Sequence, residues 1–246
     1  MSAIFGVLTK KRINLRTYDS RIRNYDQYTF DRVSHFGEEN VRFSCFHQHI
    51  TDESIKEQLP KKDRDVLITA DIILDNRDEL FDILNIKVQN ISDSDLVLAL
   101  YKKYDEKFVE FLIGDFAIAI YDCCKRKLIL VRDQLGKRTL YYRVDEKKIM
   151  FSTLSSSICK KDNPINASYL EEQLSIRIIL NSLKANETIY KDVFHVLPAH
   201  ILIWDDNILR QKKYWQLKKN KVVNNFNEGQ KLFKESFFKA VNCRLR

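Results

Sequence analysis

Two groups of residues in this 246-residue chain have types and spacing that could support chemistry. His47 and His49 flank Gln48, and strand alternation would direct both imidazoles to one face, as two ligands of a metal ion require. No further cluster of cysteine, histidine or carboxylate completes a ligand set, so we interpret the pair as structural. The five cysteines include no C-x-x-C pair and their number is odd, which argues against a zinc site or a disulfide framework.

The longest ordered pattern in the sequence covers residues 114–142. Residues 116–121 are apolar and alternate in size, as in a strand that is buried on both faces. Residues 128–131 are apolar and branched and follow a polar turn, which predicts a second strand that pairs back on the first. Gly136 permits a tight turn, and Leu140 begins a third strand. Spacing alone therefore predicts a β-meander.

Two motifs within this segment carry a family resemblance. They are Gly114-Asp115-Phe116-Ala117 and Arg132-Asp133-x-x-Gly136-x-Arg138-x-Leu140-Tyr141-Tyr142. Together they resemble the centre of the class II glutamine amidotransferase domain of asparagine synthetase-like enzymes, with Thr139 where that family usually has proline. The resemblance implies an α+β fold, a four-layer αββα sandwich of the N-terminal nucleophile hydrolase type, with two mainly antiparallel sheets between helices.

The N-terminus departs from that family at the nucleophile. The family begins Met-Cys-Gly-Ile, and removal of the methionine exposes a cysteine that acts as nucleophile near its own α-amine. In this chain Ser2 stands in the cysteine slot and Ala3 in the glycine slot, and the small Ser2 still favours removal of Met1. Because a serine hydroxyl is a much weaker nucleophile than a thiolate, we predict that Ser2 does not support glutamine hydrolysis.

The substrate-binding slots of the family are altered as well. The Arg-Gly-Pro-Asp stretch whose arginine holds the substrate carboxylate is missing, and Asp71 and Ile72 occupy the oxyanion-hole slots of asparagine and glycine. An ionised Asp71 only accepts hydrogen bonds, so it would repel an oxyanion, and even the loss of one donor costs about 3 kcal/mol. Asp93 matches an aspartate that contacts the amino group of glutamine; we interpret it as a retained residue at a helix start, after the N-cap Ser92.

Two segments, 49–60 and 71–80, look like the branch of the family without glutaminase activity, which includes lasso-peptide macrocyclases and β-lactam synthetase. We predict an amidotransferase-like domain at 1–217, a linker at 218–226, and the first helix of a missing ATP-dependent synthetase domain at 227–246. The chain has only five glycines and no phosphate-cradling glycine loop. ATP and Mg²⁺ are therefore expected only in the missing synthetase domain, and no cofactor or metal in this chain.

Composition limits the partners and the location. The apolar runs are too short to cross a bilayer and no secretory signal begins the chain, so we expect a cytoplasmic protein without a membrane partner. Residues 206–246 hold eleven Lys/Arg and three Asp/Glu, but no nucleic-acid motif. The expected partners are the C-terminal synthetase domain and a precursor peptide with its leader-processing proteins.

Three functions remain open at this point. The leading hypothesis is a degenerate domain of an asparagine synthetase-related amide ligase, which would be inactive by itself. The second is a fragment of a glutamine-hydrolysing asparagine synthetase that uses Ser2. The third is a freestanding interaction module whose basic tail binds a partner.

Overall fold

The computed structural model describes residues 2–87, 91–160, 162, 165–175, 185–205, 208–218, 223 and 225–245. The strands are β1 (Ala3–Thr9), β2 (Arg32–Gly37), β3 (Val41–His47), β4 (Lys61–Asp63), β5 (Val66–Leu74), β6 (Gly114–Asp122), β7 (Lys127–Arg132), β8 (Tyr141–Asp145), β9 (Lys148–Ser152), β10 (Phe194–His195), β11 (His200–Asp205) and β12 (Ile208–Lys213). The α-helices are α1 (Leu15–Ile22), α2 (Asp52–Ile55), α3 (Arg77–Leu84), α4 (Asp93–Tyr104), α5 (Ala167–Leu174) and α6 (Phe226–Asn242), and 3₁₀ turns cover Arg23–Tyr25, Asp105–Phe111 and Ser155–Ser157.

The described strands form two antiparallel six-stranded sheets. Their orders are β10-β8-β9-β1-β3-β2 and β12-β11-β7-β6-β5-β4. Alternation along β1 directs Ile4 and Leu8 into the core between the sheets, and Phe5 and Val7 into a second core that includes Tyr18 of α1. On the other side of the molecule, α4 packs on β5 with α3 beside it. This confirms the predicted α+β sandwich, with two antiparallel sheets between helices.

The predicted β-meander is wrong at its third strand. β6 and β7 pair as expected, but β8 joins the other sheet, where it pairs with β9 and β10. The edge of β7 that does not pair with β6 pairs with β11, in register from Ile201↔Val131 to Asp205↔Lys127. The Asp133 carboxylate accepts hydrogen bonds from three backbone N–H groups of the loop after β7, and this loop carries the chain to the other sheet.

Residues 10–31 are polar with little periodicity, which predicts an irregular loop or paired edge segments, and the structure differs from both. They contain α1, which Asn14 caps, and a 3₁₀ turn that ends at Tyr25. Tyr18 and Tyr25 are buried against Phe5 and Phe46, so two tyrosines seven residues apart anchor an otherwise polar segment.

The other predicted elements lie near their predicted positions. The sequence patterns at 1–7 and 41–46 predict strands, and those at 76–84 and after Ser92 predict helices; β1, β3, α3 and α4 form there, and Ser92 caps α4 by accepting the Asp95 N–H. The pattern at 167–180 predicts a helix, and α5 ends at Leu174. Residues 176–180, and residues 206–207 of the hairpin turn that the sequence predicts at 205–207, lie outside the described residues. Asn227 is the N-cap that the sequence predicts for the last helix, but the N-cap of α6 is Asn225. The boundaries at 217 and 226 stay predictions.

Helix α6 carries the exposed apolar face that its spacing predicts. None of its residues is buried, and Phe233 is 72% exposed. Lys239 of α6 lies 3.5 Å from Glu79 of α3, and Arg244, which follows the helix, lies 2.9 Å from Asp75 in the loop after β5. Among the described helices, none combines the length and the apolarity that crossing a membrane would require.

Gly114 begins β6 in a conformation and a space that no other residue tolerates. Its φ is +151°, and a Cβ there would lie 2.2 Å from the Ile73 carbonyl oxygen. We expect Gly114→Ala to lower the free energy of unfolding by about 3 kcal/mol or more, because backbone strain and a backbone clash add. Gly229→Ala in α6 is the control, since its Cβ would have no neighbour nearer than 3.7 Å. Equal urea midpoints for the two variants would contradict the prediction.

Candidate functional site

Ser2 lies at the start of β1, beside the end of β3. Its Oγ accepts a hydrogen bond from the Gln48 N–H at 3.0 Å and lies 3.4 Å from the Gln48 carbonyl oxygen, to which it donates. The pairing of Ala3 with Phe46 in the β1–β3 ladder brings Ser2 to this position. The hydroxyl is therefore held by the backbone of the neighbouring strand.

Two cavities meet at Ser2 and Asp71. The larger, about 330 Å³, has mostly apolar walls that include Tyr25, Tyr28 and Leu154. The smaller has a volume of about 20 Å³ and is lined by Ser2, His47, Gln48, Ile50, Ser54, Glu57, Leu59, Ala70, Asp71, Ile72 and Ile73. One water needs about 10–15 Å³ by this measure, so the smaller cavity has room for roughly one water.

Asp71 is a nearly buried carboxylate on β5, 5% exposed. Burial raises its pKa to about 6, while Arg138 and a hydrogen bond from the Ser2 backbone N–H oppose the shift. The Arg138 Nη1 to Asp71 Oδ2 distance is 3.6 Å, which is an ion pair without a good hydrogen bond. At neutral pH the group is therefore mainly an ionised hydrogen-bond acceptor.

The neighbouring Ile72 is nearly buried, pairs with Phe116 of β6 and lines the smaller cavity. Its side chain has no polar atom. The structure thus brings three of the residues singled out in the sequence, Ser2, Asp71 and Ile72, around one small space.

Asp93 lies apart from this group, at the first turn of α4. Its carboxylate accepts the Leu74 N–H at 2.9 Å and forms a buried ion pair with Arg77. Arg77 also donates to the Ile91 carbonyl oxygen at 2.6 Å, and both side chains are almost fully buried. Neither residue lines the two cavities, as far as the described residues show.

Sequence reasoning gave no role to Arg77 or Glu57. Arg77 had a detectable signal, since its spacing to Leu80 and Leu84 puts it on the apolar face of α3, where an arginine needs a buried partner. Glu57 follows α2 without periodicity, and its burial arises only from tertiary packing against the start of α4.

Glu57 is a second buried carboxylate on the smaller cavity. It accepts hydrogen bonds from the Ser94 N–H at 2.9 Å and from the Ser94 hydroxyl. Burial raises its pKa to about 7; the bonds from Ser94 oppose this shift, and the charges of Asp93 and Asp95 add to it.

The histidine pair is engaged by backbone carbonyl groups. His47 Nε2 lies 2.7 Å from the Leu59 oxygen, and His49 Nδ1 lies 2.9 Å from the Ser54 oxygen. Burial lowers the pKa of His47 to about 4, so its ring is neutral at physiological pH. Within the described ranges, no group of three or more His, Cys, Asp or Glu side chains could hold a metal ion.

We expect the contribution of Glu57 to the stability of the protein to fall as the pH rises from about 5 to about 8, while His47, whose pKa is lowered by folding, contributes in the opposite direction below its ordinary value. The pKa of Glu57 is raised by folding, from 4.5 to about 7, so its stabilising contribution is complete below the unfolded value and is lost through the folded value. Glu57→Gln should flatten this slope, and Glu110→Gln on the surface should not. Urea unfolding at several pH values measures both; parallel curves for all three proteins would contradict the prediction.

The buried pair of Arg77 and Asp93 should be costly to break. Arg77→Met leaves the Asp93 carboxylate buried without its arginine, and we expect a loss of about 3–5 kcal/mol in the free energy of unfolding. Lys102→Met removes an exposed pair with Asp63 and should cost less than about 1 kcal/mol. Adding Asp93→Asn to Arg77→Met should recover part of the loss, and equal losses for the two single variants would show that the pair is unimportant.

Comparison with solved structures supports the fold. The chain superposes on the glutamine phosphoribosylpyrophosphate amidotransferase of B. subtilis with a TM-score of 0.58 and 12% identity, over 89% of this chain and 50% of that one. At this identity the likeness extends to the architecture alone.

Curated sequences give closer relatives. The amidase chyE of Penicillium rubens is 35% identical over 51% of this chain and 18% of its own length, and the amidase chry2 of Gibberella zeae is 32% identical over 63% and 23%. A putative glutamine-hydrolysing asparagine synthetase of Methanocaldococcus jannaschii is 27% identical over 74% and 37%. The chain thus spans less than two fifths of these relatives.

A family match covers most of the chain. The family described as "Glutamine amidotransferase domain" matches residues 1–215, which contain both sheets and the site at Ser2. The chain belongs to the class II glutamine amidotransferase domain family and has asparagine synthetases among its relatives.

Proposed function

We propose that this chain is an amidotransferase-like domain that does not hydrolyse glutamine and that serves an ATP-dependent amide ligase related to asparagine synthetase. The observation that carries the proposal is the Asp71 carboxylate, which lies in the oxyanion slot and lines both cavities at Ser2. The smaller cavity has room for roughly one water, so glutamine, with ten heavy atoms, could lie beside Ser2 only in the larger cavity. Asp71 is the one charged side chain among the described residues that line that larger cavity, so its walls offer no cation for the substrate carboxylate.

The charges around this space support the same conclusion. Hydrolysis of an amide needs donors directed at the developing oxyanion, and the Asp71 carboxylate is an acceptor at neutral pH. The resemblance implies that Asp93 would bind the amino group of glutamine, but in this chain the Asp93 carboxylate already forms an ion pair with the Arg77 guanidinium. An internal cation therefore takes the role that the substrate ammonium would have.

Without glutamine hydrolysis, ammonia would not be the nitrogen source. In our proposal a C-terminal synthetase domain uses ATP and Mg²⁺ to adenylate a carboxylate, and an amine of the substrate itself attacks the adenylate. In a lasso-peptide macrocyclase that amine is the N-terminus of a precursor peptide, and the product is an isopeptide ring. The peptide, its leader-processing proteins and a cytoplasmic location belong to this proposal.

The exposed face of α6 supports a further domain. Phe233, Phe237 and Phe238 are each more than half exposed, and an apolar face of this kind marks a protein interaction surface. The relatives, which are more than twice as long as their aligned segments, are consistent with a domain that would cover it. The chain alone is then expected to lack ligase activity.

The purified chain should release no glutamate from L-glutamine above the background of Ser2→Ala. We also expect no gain from Ser2→Cys, because the Asp71 carboxylate and the Arg77–Asp93 pair remain. Alkylation of the new thiol, read by mass spectrometry, controls for its accessibility. Glutamate release that Ser2→Ala abolishes would overturn the proposal in favour of a serine-dependent glutaminase.

A further inference from the structure

We propose that Asp71 is the counterion of the chain's own N-terminal amine, which forms at Ser2 when Met1 is removed, and that this pair turns the nucleophile position into a structural anchor. The inference deepens the proposed function, since it gives the altered oxyanion slot a role of its own. It also explains why a carboxylate is tolerated at that position.

The atom that would carry the new charge already faces Asp71. Ser2 and Asp71 line the same two cavities, and the Ser2 Oγ is fixed by Gln48. Both the Ser2 backbone N–H and the positive charge of the N-terminus lower the pKa of the Asp71 carboxylate. An aminopeptidase hydrolyses the Met1–Ser2 peptide bond with one water. The released methionine then carries the new carboxylate, and Ser2 carries the new amine. That nitrogen becomes an ammonium at neutral pH, with no movement of the strand required.

Asp71 has the capacity to accept this charge. Its partner Arg138 lies 3.6 Å away, beyond hydrogen-bond distance, so a carboxylate oxygen remains available for a closer cation. A buried carboxylate next to an ammonium is stabilised in its charged form, and the ammonium is stabilised in return. The two groups would replace a hydrogen bond in which only the acceptor is charged by one in which both partners are charged, which is stronger.

The other charged and titratable groups around the pair do not compete for the amine. His47 is neutral, and Glu57 accepts two hydrogen bonds from Ser94. Asp115 of β6 raises the pKa of Asp71, but it is itself 3.3 Å from the Lys137 ammonium. Asp71 is thus the acidic group that the Ser2 nitrogen meets directly.

The pair has a consequence for chemistry at Ser2. An N-terminal nucleophile uses its neutral α-amine as the base that accepts the hydroxyl proton. A carboxylate in contact keeps that amine protonated at neutral pH, so it cannot act as the base. The block on catalysis would therefore lie in the amine as well as in the weak hydroxyl.

The experiment measures the pKa of the α-amine directly. Intact mass first identifies the N-terminal residue, and the rate of N-terminal acylation by a succinimidyl ester is then followed against pH by peptide mass spectrometry. An ordinary α-amine titrates near about 7.7–8.0; we expect the wild type to titrate about one unit higher, a tenfold slower reaction at neutral pH. Asp71→Asn should remove the shift, and Asp63→Asn, remote and exposed, should keep it.

Two results would overturn the inference: retention of Met1, or the same α-amine pKa in the wild type and in Asp71→Asn. If Asp71→Asn does not fold, the wild type is compared in buffer and in concentrated urea, and equal pKa values would equally refute the pair. Because glutamate release is not the readout, glutaminase activity would overturn the proposed function, whereas the amine titration decides on the ion pair.

Discussion

The pairing of β5 with β6 is the constraint on which the rest of the site depends. The two strands align without interruption from Val66↔Asp122 to Leu74↔Gly114, which is possible because Gly114 lets the backbones approach closely. This register fixes three parts of the site at once. Asp71 and Ile72 come beside Ser2 of β1, and the Leu74 N–H meets Asp93 at the start of α4. A slip of one residue would turn every side chain of β5 to the other face of the sheet, and Asp71, Ile72 and the Leu74 N–H would then lose these positions.

Three buried carboxylates lie at or near the site, and each is already bound by groups of the protein. Asp71, Glu57 and Asp93 are each at most 6% exposed, and each interacts with donors of the protein. Asp71 interacts with the Ser2 N–H and with Arg138, and Glu57 with Ser94. Asp93 interacts with Arg77 and with the Leu74 N–H. A buried charge is tolerated only with such partners. In our proposal, the interactions that stabilise the fold also occupy the polar groups that glutamine would need.

Much of this could be predicted from local sequence. The apolar strand that follows Gly114 and the cap at Ser92 are set by neighbouring residues, so the periodicity and the motifs identified them. The transfer of β8 to the other sheet, in contrast, depends on β11 pairing with β7 about seventy residues later, and no local pattern encodes it. Glu57 was missed for the same reason, since its partner Ser94 belongs to a distant helix. Arg77 could have been found by asking what a charge on an apolar helix face would bind.

The most direct test of the account is whether the protein binds L-glutamine, independently of turnover. Backbone amide resonances of a ¹⁵N-labelled chain would be followed during titration with glutamine to millimolar concentration, with attention to Ser2, Gln48 and the residues around Asp71. The account predicts no saturable shifts, because the Asp71 carboxylate lies beside Ser2 and the described walls of the larger cavity offer no cation for the carboxylate of glutamine. Saturable shifts centred on these residues would contradict it, since they would mean that the site at Ser2 still holds the substrate.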